Sequence, residues 1–465
     1  MLSVVIILSM SATLATGLLA GISTVSLLAV NIVLVSAISM LAGYPYRRLE
    51  EGMISGIKSA VVCVVILMLV GMLIAAWILS GTVPMVIYYG LQFVTPSLLL
   101  VMTFVICSLL SLFTGSSWGT AGTLGVACVA MGSGMGVPIA LTAGAAISGA
   151  ILGDKLSPLS DSTILASSMS QIDIYDHIRS MAYTTTPAVL LTVIAYFFAG
   201  RSYENMEAGG NSIAVVSQAL SSQYNFNIVL LLPFVVIIVL SVKKFPSLLT
   251  IVVSAMTGLI LAIVIQGERP GSVIAAIQTG VKIDTGVDLV DQMLNKGGIS
   301  SMMSTVSILL LALGLGGILN EVGYLKTIVD VLTVRVKTPR AIVLTTLLCG
   351  MVTICVIVNF HVSVVLVSSM FRDLYDRNGI HRSVLSRTIE EANTMMLPVI
   401  PWNASCIYYM GLFGLNAPVF APYTFMVWAN ILVSLIFIVN RLCIFRADPL
   451  TKEPIWSVRR TEVKL

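Results

Sequence analysis

The chain has 465 residues, of which 57% are apolar and 10% are Asp, Glu, Lys or Arg. A soluble domain carries about 25% charged residues, so this composition excludes a soluble globular enzyme. The net charge of +4 is small, and no basic segment is interleaved with aromatic residues, so no nucleic-acid partner is expected.

Charge-free runs mark the membrane segments along the chain. Residues 1–46 contain no charged residue, and residues 59–153 contain neither a charged residue nor a histidine. A spanning helix needs about 20 mostly apolar residues to cross roughly 30 Å of hydrocarbon. We therefore predict an all-α polytopic membrane protein with about eleven to thirteen membrane segments. They lie at roughly residues 3–22, 24–43, 59–80, 97–113, 119–132, 137–153, 181–199, 228–242, 247–265, 303–322, 341–371, 392–416 and 423–443.

The cysteines and the N-terminus add two expectations. The seven cysteines lie within or beside apolar stretches, without CxxC spacing or a nearby histidine. They are expected to be small buried residues, so the sequence indicates no cofactor, disulfide or structural metal. No basic residue precedes Arg47, so the first apolar stretch is expected to be a span and not a cleaved signal peptide.

Lysine and arginine content predicts the orientation of the loops. The loops at 201–227 and 267–300 contain more acidic than basic residues and are expected to be external. The basic segments, including the C-terminal tail, are expected to be cytoplasmic. Their basic residues are Arg47, Arg48, Lys58, Lys243, Lys244, Arg335, Lys337, Arg340, Arg372, Arg377, Arg382, Arg387, Arg446, Arg459, Arg460 and Lys464.

A comparison of the chain with itself indicates an internal repeat with a shift of 243 residues. The basic segments at 335–340 and 372–387 then fall on 92–97 and 129–144, which contain no charge. Equivalent loops thus carry opposite orientation signals, which is typical of inverted repeats in secondary transporters. The superimposed pairs are Gly71 and Gly314, Ser116 and Asn359, Thr120 and Ser363, Pro158 and Pro401, and Ser162 and Ser405.

This repeat predicts the domain organisation. The parts are an N-terminal pair of spans at 1–46, inverted repeat 1 at 47–200, a loop with the connecting spans 228–242 and 247–265 at 201–289, inverted repeat 2 at 290–443, and a cytoplasmic tail at 444–465.

One stretch is expected to enter the membrane and return as a short helix pair or a broken re-entrant hairpin. Residues 341–371 lie between two basic loops and are only 31 residues long. The matching stretch, 98–128, contains a run from Thr114 to Gly125 with four glycines and several hydroxyls. Such a run suits an unwound turn that lines a cavity, with Thr114, Ser116 and Thr120 as candidate ion ligands. Tight helix packing through small residues is the alternative.

The densest polar cluster follows the apolar helix predicted at 137–152. Pro158 breaks that helix because it lacks an amide donor. Carboxylates, hydroxyls and freed carbonyls suit a small hard cation, and a carboxylate in a low-dielectric cavity can exchange its proton for that cation. An ordinary loop at the membrane surface is the alternative. The candidate ligands are Asp154, Asp161, Ser157 and Ser160, with both carboxylates as candidates for transported sodium and Lys155 for charge pairing.

The equivalent segment of the second half, 397–405, contains two prolines and the neutral ligands Asn403 and Ser405. Upstream, Asn359 and His361 lie in an otherwise charge-free span, where His361 is either a pH-sensitive group or a structural one. Glu390 and Glu391 either pair with Arg387 at helical spacing or belong to the ion pathway.

Three of these runs together resemble the NhaC family of sodium/proton antiporters. They are the run from Thr114 to Ala127, the run from Gly153 to Thr163 with Asp176-His-Ile-Arg after it, and Ile400-Pro-Trp-Asn. The resemblance covers roughly residues 50–440 and implies a bacterial inner-membrane antiporter, dimeric, with a scaffold and a moving transport domain. The family includes members that exchange proton-malate for sodium-lactate. The chain has Ile164 where the family pattern places an amide.

The leading hypothesis is therefore sodium/proton antiport, with both ions competing for intramembrane carboxylates at broken helices. Coupled exchange of a small carboxylate or an amino acid on the same scaffold is the alternative. Leu152-Gly153-Asp154 and Tyr175-Asp176 are similar to the paired aspartate motifs of intramembrane proteases, but the two motifs stand in the reverse order. That order argues against an enzyme.

Overall fold

The computed structural model describes most of the chain. The described residues are 6, 9, 10, 12, 13, 16, 17, 20, 22–203, 208–243, 245–324, 338–357, 360–448 and 454–456.

The first half of the chain is helical, and its helices follow the charge-free runs. Its elements are α1 (Thr24–Leu41), α2 (Tyr46–Leu79), α3 (Thr82–Phe93), α4 (Pro96–Thr114), α5 (Ser117–Thr120), a π-helical turn (Ala121–Gly125), α6 (Val126–Gly134), α7 (Ile139–Leu156), α8 (Asp161–Ser170), α9 (Ile174–Arg201) and α10 (Ala208–Gln223).

The second half is helical as well. Its elements are α11 (Leu232–Val242), α12 (Ser247–Val264), α13 (Pro270–Thr279), α14 (Asp288–Leu294), α15 (Met303–Val322), α16 (Pro339–Ile357), α17 (Phe360–Arg377), α18 (Arg382–Asn393), α19 (Ala404–Phe413), α20 (Ala417–Phe420) and α21 (Phe425–Val439). Short 3₁₀ turns lie at Ile228–Leu231, Ile299–Met302 and Ala421–Tyr423.

Length and apolar composition make this a multi-pass membrane protein. Within the described ranges, six helices can span a bilayer, and two sharply bent helix pairs raise that number to eight. The bends are 99° between Val215–Gln223 and Ile228–Leu240, and 82° between Ala404–Phe413 and Ala417–Tyr423. Three further apolar helices are shorter, and the first expected span, 3–22, lies largely outside the described residues.

Three helix breaks meet the expectation from glycine and proline positions. Helix α4 ends at Thr114, Gly115 adopts a left-handed φ of +64°, and Ser116 caps the next helix by accepting from the Gly119 amide at 3.1 Å. Helix α7 ends at Leu156, and α8 begins after the capping residue Ser160. Helix α18 ends at Asn393, and α19 begins after Asn403. Backbone groups at these ends lack their helical partners.

Helices α16 and α17 pack against each other as a hairpin. The Tyr375 hydroxyl of α17 donates to Thr346 Oγ1 of α16 at 3.2 Å. Their apolar side chains, including Leu347 and Phe371, form one buried cluster with α18. The expectation that residues 341–371 fold back on themselves is therefore met.

Helices α4 and α7 lie in backbone contact. A Cβ added at Gly149 would stand 2.3 Å from the carbonyl oxygen of Phe104, and one at Gly153 would stand 2.2 Å from that of Ser108. Larger residues at either position would separate the helices. Since Asp154 follows Gly153, this contact fixes the Asp154 backbone beside the break at Gly115.

A small sheet departs from the all-α expectation. Strand β1 (Arg446–Ala447) pairs antiparallel with β2 (Pro454–Ile455), and Ile380 bridges to Arg446. Strands of two residues are too short to show a periodic pattern, so they could not be predicted from the sequence.

Candidate functional site

The three helix breaks surround one cavity of about 780 Å³. Helix ends contribute its polar wall, because each break exposes hydroxyls and backbone groups that a continuous helix would occupy. Apolar residues of α2, such as Val62 and Leu73, close the other wall. The polar lining consists of Ser59, Thr114, Ser116, Ser117, Thr120, Thr123, Asp154, Ser160, Asp161, Ser162, Thr250, His361, Thr394, Asn403 and Ser405.

Asp154 is the half-buried carboxylate of this cavity. It lies in the last turn of α7, and its Oδ2 accepts a hydrogen bond from the Ser117 hydroxyl at 2.8 Å. Ser117 is the first residue after the break at Gly115, so this bond joins two of the broken helices. By contrast, Asp161 begins α8 and is exposed.

Three buried hydroxyl oxygens on the lining have no hydrogen-bond partner among the described residues. They are Thr114 Oγ1, Thr120 Oγ1 and Thr394 Oγ1, and the Thr120 and Thr394 side chains are 1% and 3% exposed. A buried hydroxyl without a partner is costly, and a cation in the cavity would supply the missing interaction. Thr394 was not predicted from the sequence, because the prediction for this region rested on the prolines that follow it. Its position at the first residue beyond α18 was the available signal.

An aromatic pair joins the two halves of the chain at the cavity. The rings of Trp118 and Tyr408 stack with centroids 4.6 Å apart and planes 3° from parallel. The Tyr408 hydroxyl donates to the Trp118 carbonyl at 2.7 Å, and the Trp118 indole donates to Ser405 Oγ at 3.2 Å. Both rings line the cavity, so the pair holds the break at Gly115 against the start of α19.

Most of the candidate residues from the sequence meet at this cavity, but Ser157, Lys155, Glu390 and Glu391 do not. Thr114, Ser116, Thr120, Asp154, Ser160, Asp161, His361, Asn403 and Ser405 line it. The lining does not include Ser157, which is buried and accepts from the Leu159 amide at 3.2 Å. Asn359 lies outside the described residues. Lys155 is fully buried and donates to Asn430 Oδ1 at 2.8 Å, away from the cavity.

The acidic pair on α18 also lies behind the cavity, in the protein interior. Glu390 and Glu391 are 0% and 1% exposed. Among the described residues Arg387 forms no ion pair with either, and instead donates to the carbonyls of Ser180 and Cys443. The pairing with Arg387 expected from helical spacing is therefore absent, because its guanidinium turns toward other helices. Glu390 accepts from Ser162 at 2.8 Å, and Glu391 accepts from Thr184.

The protease alternative finds no support in this geometry. Asp176 lies near the start of α9 and is not part of the cavity lining that contains Asp154. Tyr175 beside it is 69% exposed.

Comparison with known proteins decides the family. The model of a family described as the Na+/H+ antiporter family matches residues 1–173 and 149–440. The chain belongs to the Na+/H+ antiporter family. This is a family of transporters.

Relatives within the family differ in the solutes named for them. The malate-2H+/Na+-lactate antiporter of Bacillus subtilis (strain 168) is 38% identical over 85% of this chain and 84% of its own. The Na+/H+ antiporter NhaC of Alkalihalophilus pseudofirmus is 34% identical over 84% of this chain and 85% of its own. The arginine/ornithine antiporter ArcD of Halobacterium salinarum is 34% identical over 83% of this chain and 80% of its own.

Proposed function

We propose that this antiporter exchanges sodium for protons across a bacterial inner membrane, with Asp154 as the carboxylate that receives sodium. The observation that carries the proposal is the single half-buried carboxylate at the junction of two broken helices. A carboxylate at membrane depth is costly while it is charged and unpaired. A sodium ion or a proton relieves that cost, so the two ions compete for the intramembrane carboxylates.

The ligands for sodium follow from the lining. Sodium is a hard cation that binds oxygen, as calcium and magnesium do. Asp154 supplies charge, Thr120 Oγ1 supplies a hydroxyl without another partner, and Ser117 fixes the orientation of the carboxylate. Asp161, Ser160, Asn403 and Ser405, at the starts of α8 and α19, line the same cavity. His361 also lines the cavity and is exposed.

We further propose that the chain consists of two inverted repeats, at 47–200 and 290–443. Several helix ends in the two halves differ by 243 residues: Pro96–Thr114 and Pro339–Ile357, Asp161–Ser170 and Ala404–Phe413, and the last residues Leu79 and Val322. The left-handed Gly136 and Gly379 differ by the same number. The inverted orientation of the two repeats is inferred from their opposite loop charges. The basic residues of the C-terminal tail predict that it lies on the cytoplasmic side.

In this architecture alternating access would come from one bundle moving against the other about the broken helices. The Trp118–Tyr408 stack crosses between the repeats and is a contact that such a movement must change. A homodimer stays a prediction from the family resemblance.

A second candidate function is coupled exchange of a small carboxylate or an amino acid. The cavity, at about 780 Å³, has the size of sites that hold small organic ligands, which are about 300–1,000 Å³. Two relatives are named for organic solutes. The starts of α8 and α19 could hold a carboxylate through their amides, although their caps Ser160 and Asn403 already accept from Ser162 and Ser405.

One transport panel separates the two candidates. Purified protein in proteoliposomes is given a proton gradient, and sodium, lithium, potassium, malate, lactate and arginine are tested for dissipation of that gradient. Dissipation by sodium alone supports sodium/proton antiport. A requirement for an organic solute together with sodium would support the second candidate and overturn the first.

A further inference from the structure

A buried charged cluster lies directly behind the cavity. Lys155 of α7 and Arg387, Glu390 and Glu391 of α18 are each at most 2% exposed. Lys155 interacts electrostatically with both glutamates and with Arg387. Buried charges are costly unless they are balanced, and this cluster contains two positive and two negative groups. None of its side chains lines the cavity, so sodium binding at Asp154 does not use them directly.

Two serine hydroxyls connect the cavity to Glu390. Ser160 and Ser162 line the cavity, and their Oγ atoms are 3.0 Å apart. Ser162 Oγ donates to Glu390 Oε1 at 2.8 Å. Because a serine hydroxyl has one proton, Ser162 must accept from Ser160 while it donates to Glu390. The chain of hydrogen bonds therefore runs in one direction, from the cavity to the buried carboxylate.

The surroundings of the two carboxylates differ. Asp154 is half-buried at the cavity and accepts from Ser117, which stabilises its charged form. Glu390 is fully buried, and although the Thr394 hydroxyl interacts with its carboxylate, its Oε2 accepts no hydrogen bond of normal geometry among the described residues. An ionised oxygen without a donor is costly in the interior, and a proton on Oε1 converts Oε2 into an uncharged carbonyl oxygen. Of the two groups, Glu390 is the better place for a proton.

Charge counting links the two carboxylates. When sodium is bound at Asp154, both glutamates are ionised and Lys155 and Arg387 are charged, the charges of the five side chains and the ion sum to zero. When sodium leaves, the same group stays neutral only if one proton binds. Asp154 and Glu390 interact electrostatically, so an empty Asp154 favours proton uptake at Glu390, and a sodium ion on Asp154 favours its release.

We propose that Glu390 holds the proton that this protein exchanges for sodium, and that Ser160 and Ser162 conduct it between Glu390 and the cavity. This inference rests on the proposed sodium/proton antiport and specifies where each ion is held. In the uptake step a hydronium ion gives a proton to Ser160 Oγ, Ser160 passes its own hydroxyl proton to Ser162, and Ser162 passes its own to Glu390 Oε1. One water molecule and one neutral carboxylic acid result, both hydroxyls are restored, and release is the reverse.

Other ionisable groups border Glu390 on the helices around it. Helix α18 packs against α8, α9, α16, α17 and α21. Helix α21 contributes the neutral Asn430, which holds Lys155. Lys155 and Asp154 interact electrostatically with Glu390. His177 of α9 interacts with Lys155, and Tyr375 of α17 interacts with Arg387 and Glu391. His177 shares a hydrogen bond of 2.8 Å with Ser386, and Tyr375 donates to Thr346; neither residue lines the cavity.

The test compares two exchange modes in proteoliposomes. Exchange of radioactive sodium for unlabelled sodium requires the sodium site and the movement but no proton transfer. Exchange of sodium for protons requires all three. Glu390→Gln retains an oxygen that accepts from Ser162 but cannot take up a proton, so it should lose sodium/proton exchange and keep sodium/sodium exchange. Ser162→Ala should slow sodium/proton exchange severalfold and leave sodium/sodium exchange at the wild-type rate.

Ser167→Ala is the matched control. Ser167 lies on the same helix, is buried, and donates to the carbonyl of Thr163 at 2.8 Å, so this variant should retain both modes. Sodium/proton exchange by Glu390→Gln at the wild-type rate overturns the inference. If that variant does not fold, equal sodium/proton rates in Ser162→Ala and Ser167→Ala overturn it. Absence of sodium/proton exchange in the wild type would instead refute the proposed function.

Discussion

Substitution of Gly115 by alanine tests whether the break between α4 and α5 positions the carboxylate. Gly115 has a φ of +64°, which alanine adopts at a cost of about 1–2 kcal/mol. An added Cβ would also stand 2.8 Å from the carbonyl carbon of Leu159 and 2.9 Å from its oxygen. These are backbone atoms of the neighbouring break, and they cannot rotate away. The two breaks must therefore separate.

Gly136→Ala supplies the matched control. Gly136 has a φ of +77°, and an added Cβ there would meet no atom within 4 Å. Both variants carry the left-handed backbone cost, so the difference between them isolates the contact with Leu159. Overpacking of this kind costs about 1–3 kcal/mol, and we expect Gly115→Ala to be less stable than Gly136→Ala by that amount.

The functional consequence follows from the bond between Ser117 and Asp154. Ser117 is two residues from Gly115, and displacement of its helix lengthens the 2.8 Å hydrogen bond. A shift of about 1 Å at a reacting group can cost about 100-fold in rate, so sodium/proton exchange should fall at least about tenfold in Gly115→Ala and remain in Gly136→Ala. Thermal unfolding in detergent and flux in proteoliposomes measure the two effects. Equal stability and equal flux in both variants would refute the proposed role of this contact.

Two further predictions concern sodium affinity and pH. Thr120→Val removes the partnerless hydroxyl and keeps the shape of the side chain, and the loss of about 1–1.5 kcal/mol of binding should raise the KM for sodium about five- to tenfold. Thr192→Val is the control, because the Thr192 hydroxyl donates to the Ala188 carbonyl of its own helix, and its KM should not change. An unchanged KM in Thr120→Val would show that Thr120 is not part of the sodium site. Burial lowers the pKa of His381 from its ordinary 6.5, and its Nδ1 accepts from the Ser383 amide at 3.1 Å. The folded state therefore binds fewer protons there than the unfolded chain, and stability should be lost as pH falls through about 6.5. His381→Asn keeps a capping oxygen that does not titrate, so its thermal stability should decline less than that of the wild type between pH 7 and 5, and parallel declines would contradict this.

The helix breaks could be predicted from the sequence because they depend on local chemistry. Pro158 cannot donate an amide hydrogen bond, and Gly115 tolerates a left-handed φ, so each marks an interruption without any knowledge of the fold. The long charge-free runs identified the membrane helices for the same reason, since hydrocarbon excludes charge along every span.

The contacts across the breaks could not be predicted, because they join residues far apart in the chain. Nothing local distinguishes Ser157, which turns to the Leu159 amide, from Ser160, which lines the cavity. The spacing of Arg387 and Glu390 favoured a pair on one helix face, but tertiary contacts turned the arginine toward Ser180 and Cys443. The bond from Ser162 to Glu390 spans 228 residues of sequence and required the packed structure.

The central claim is that the Asp154 carboxylate is the sodium site of this antiporter. The most direct measurement is radioactive sodium exchange in proteoliposomes containing Asp154→Asn, compared with the wild type at equal protein incorporation. The amide still accepts from Ser117 but carries no charge to bind a cation. The account predicts that Asp154→Asn loses both sodium/sodium and sodium/proton exchange. Wild-type rates of sodium/sodium exchange in this variant would contradict it.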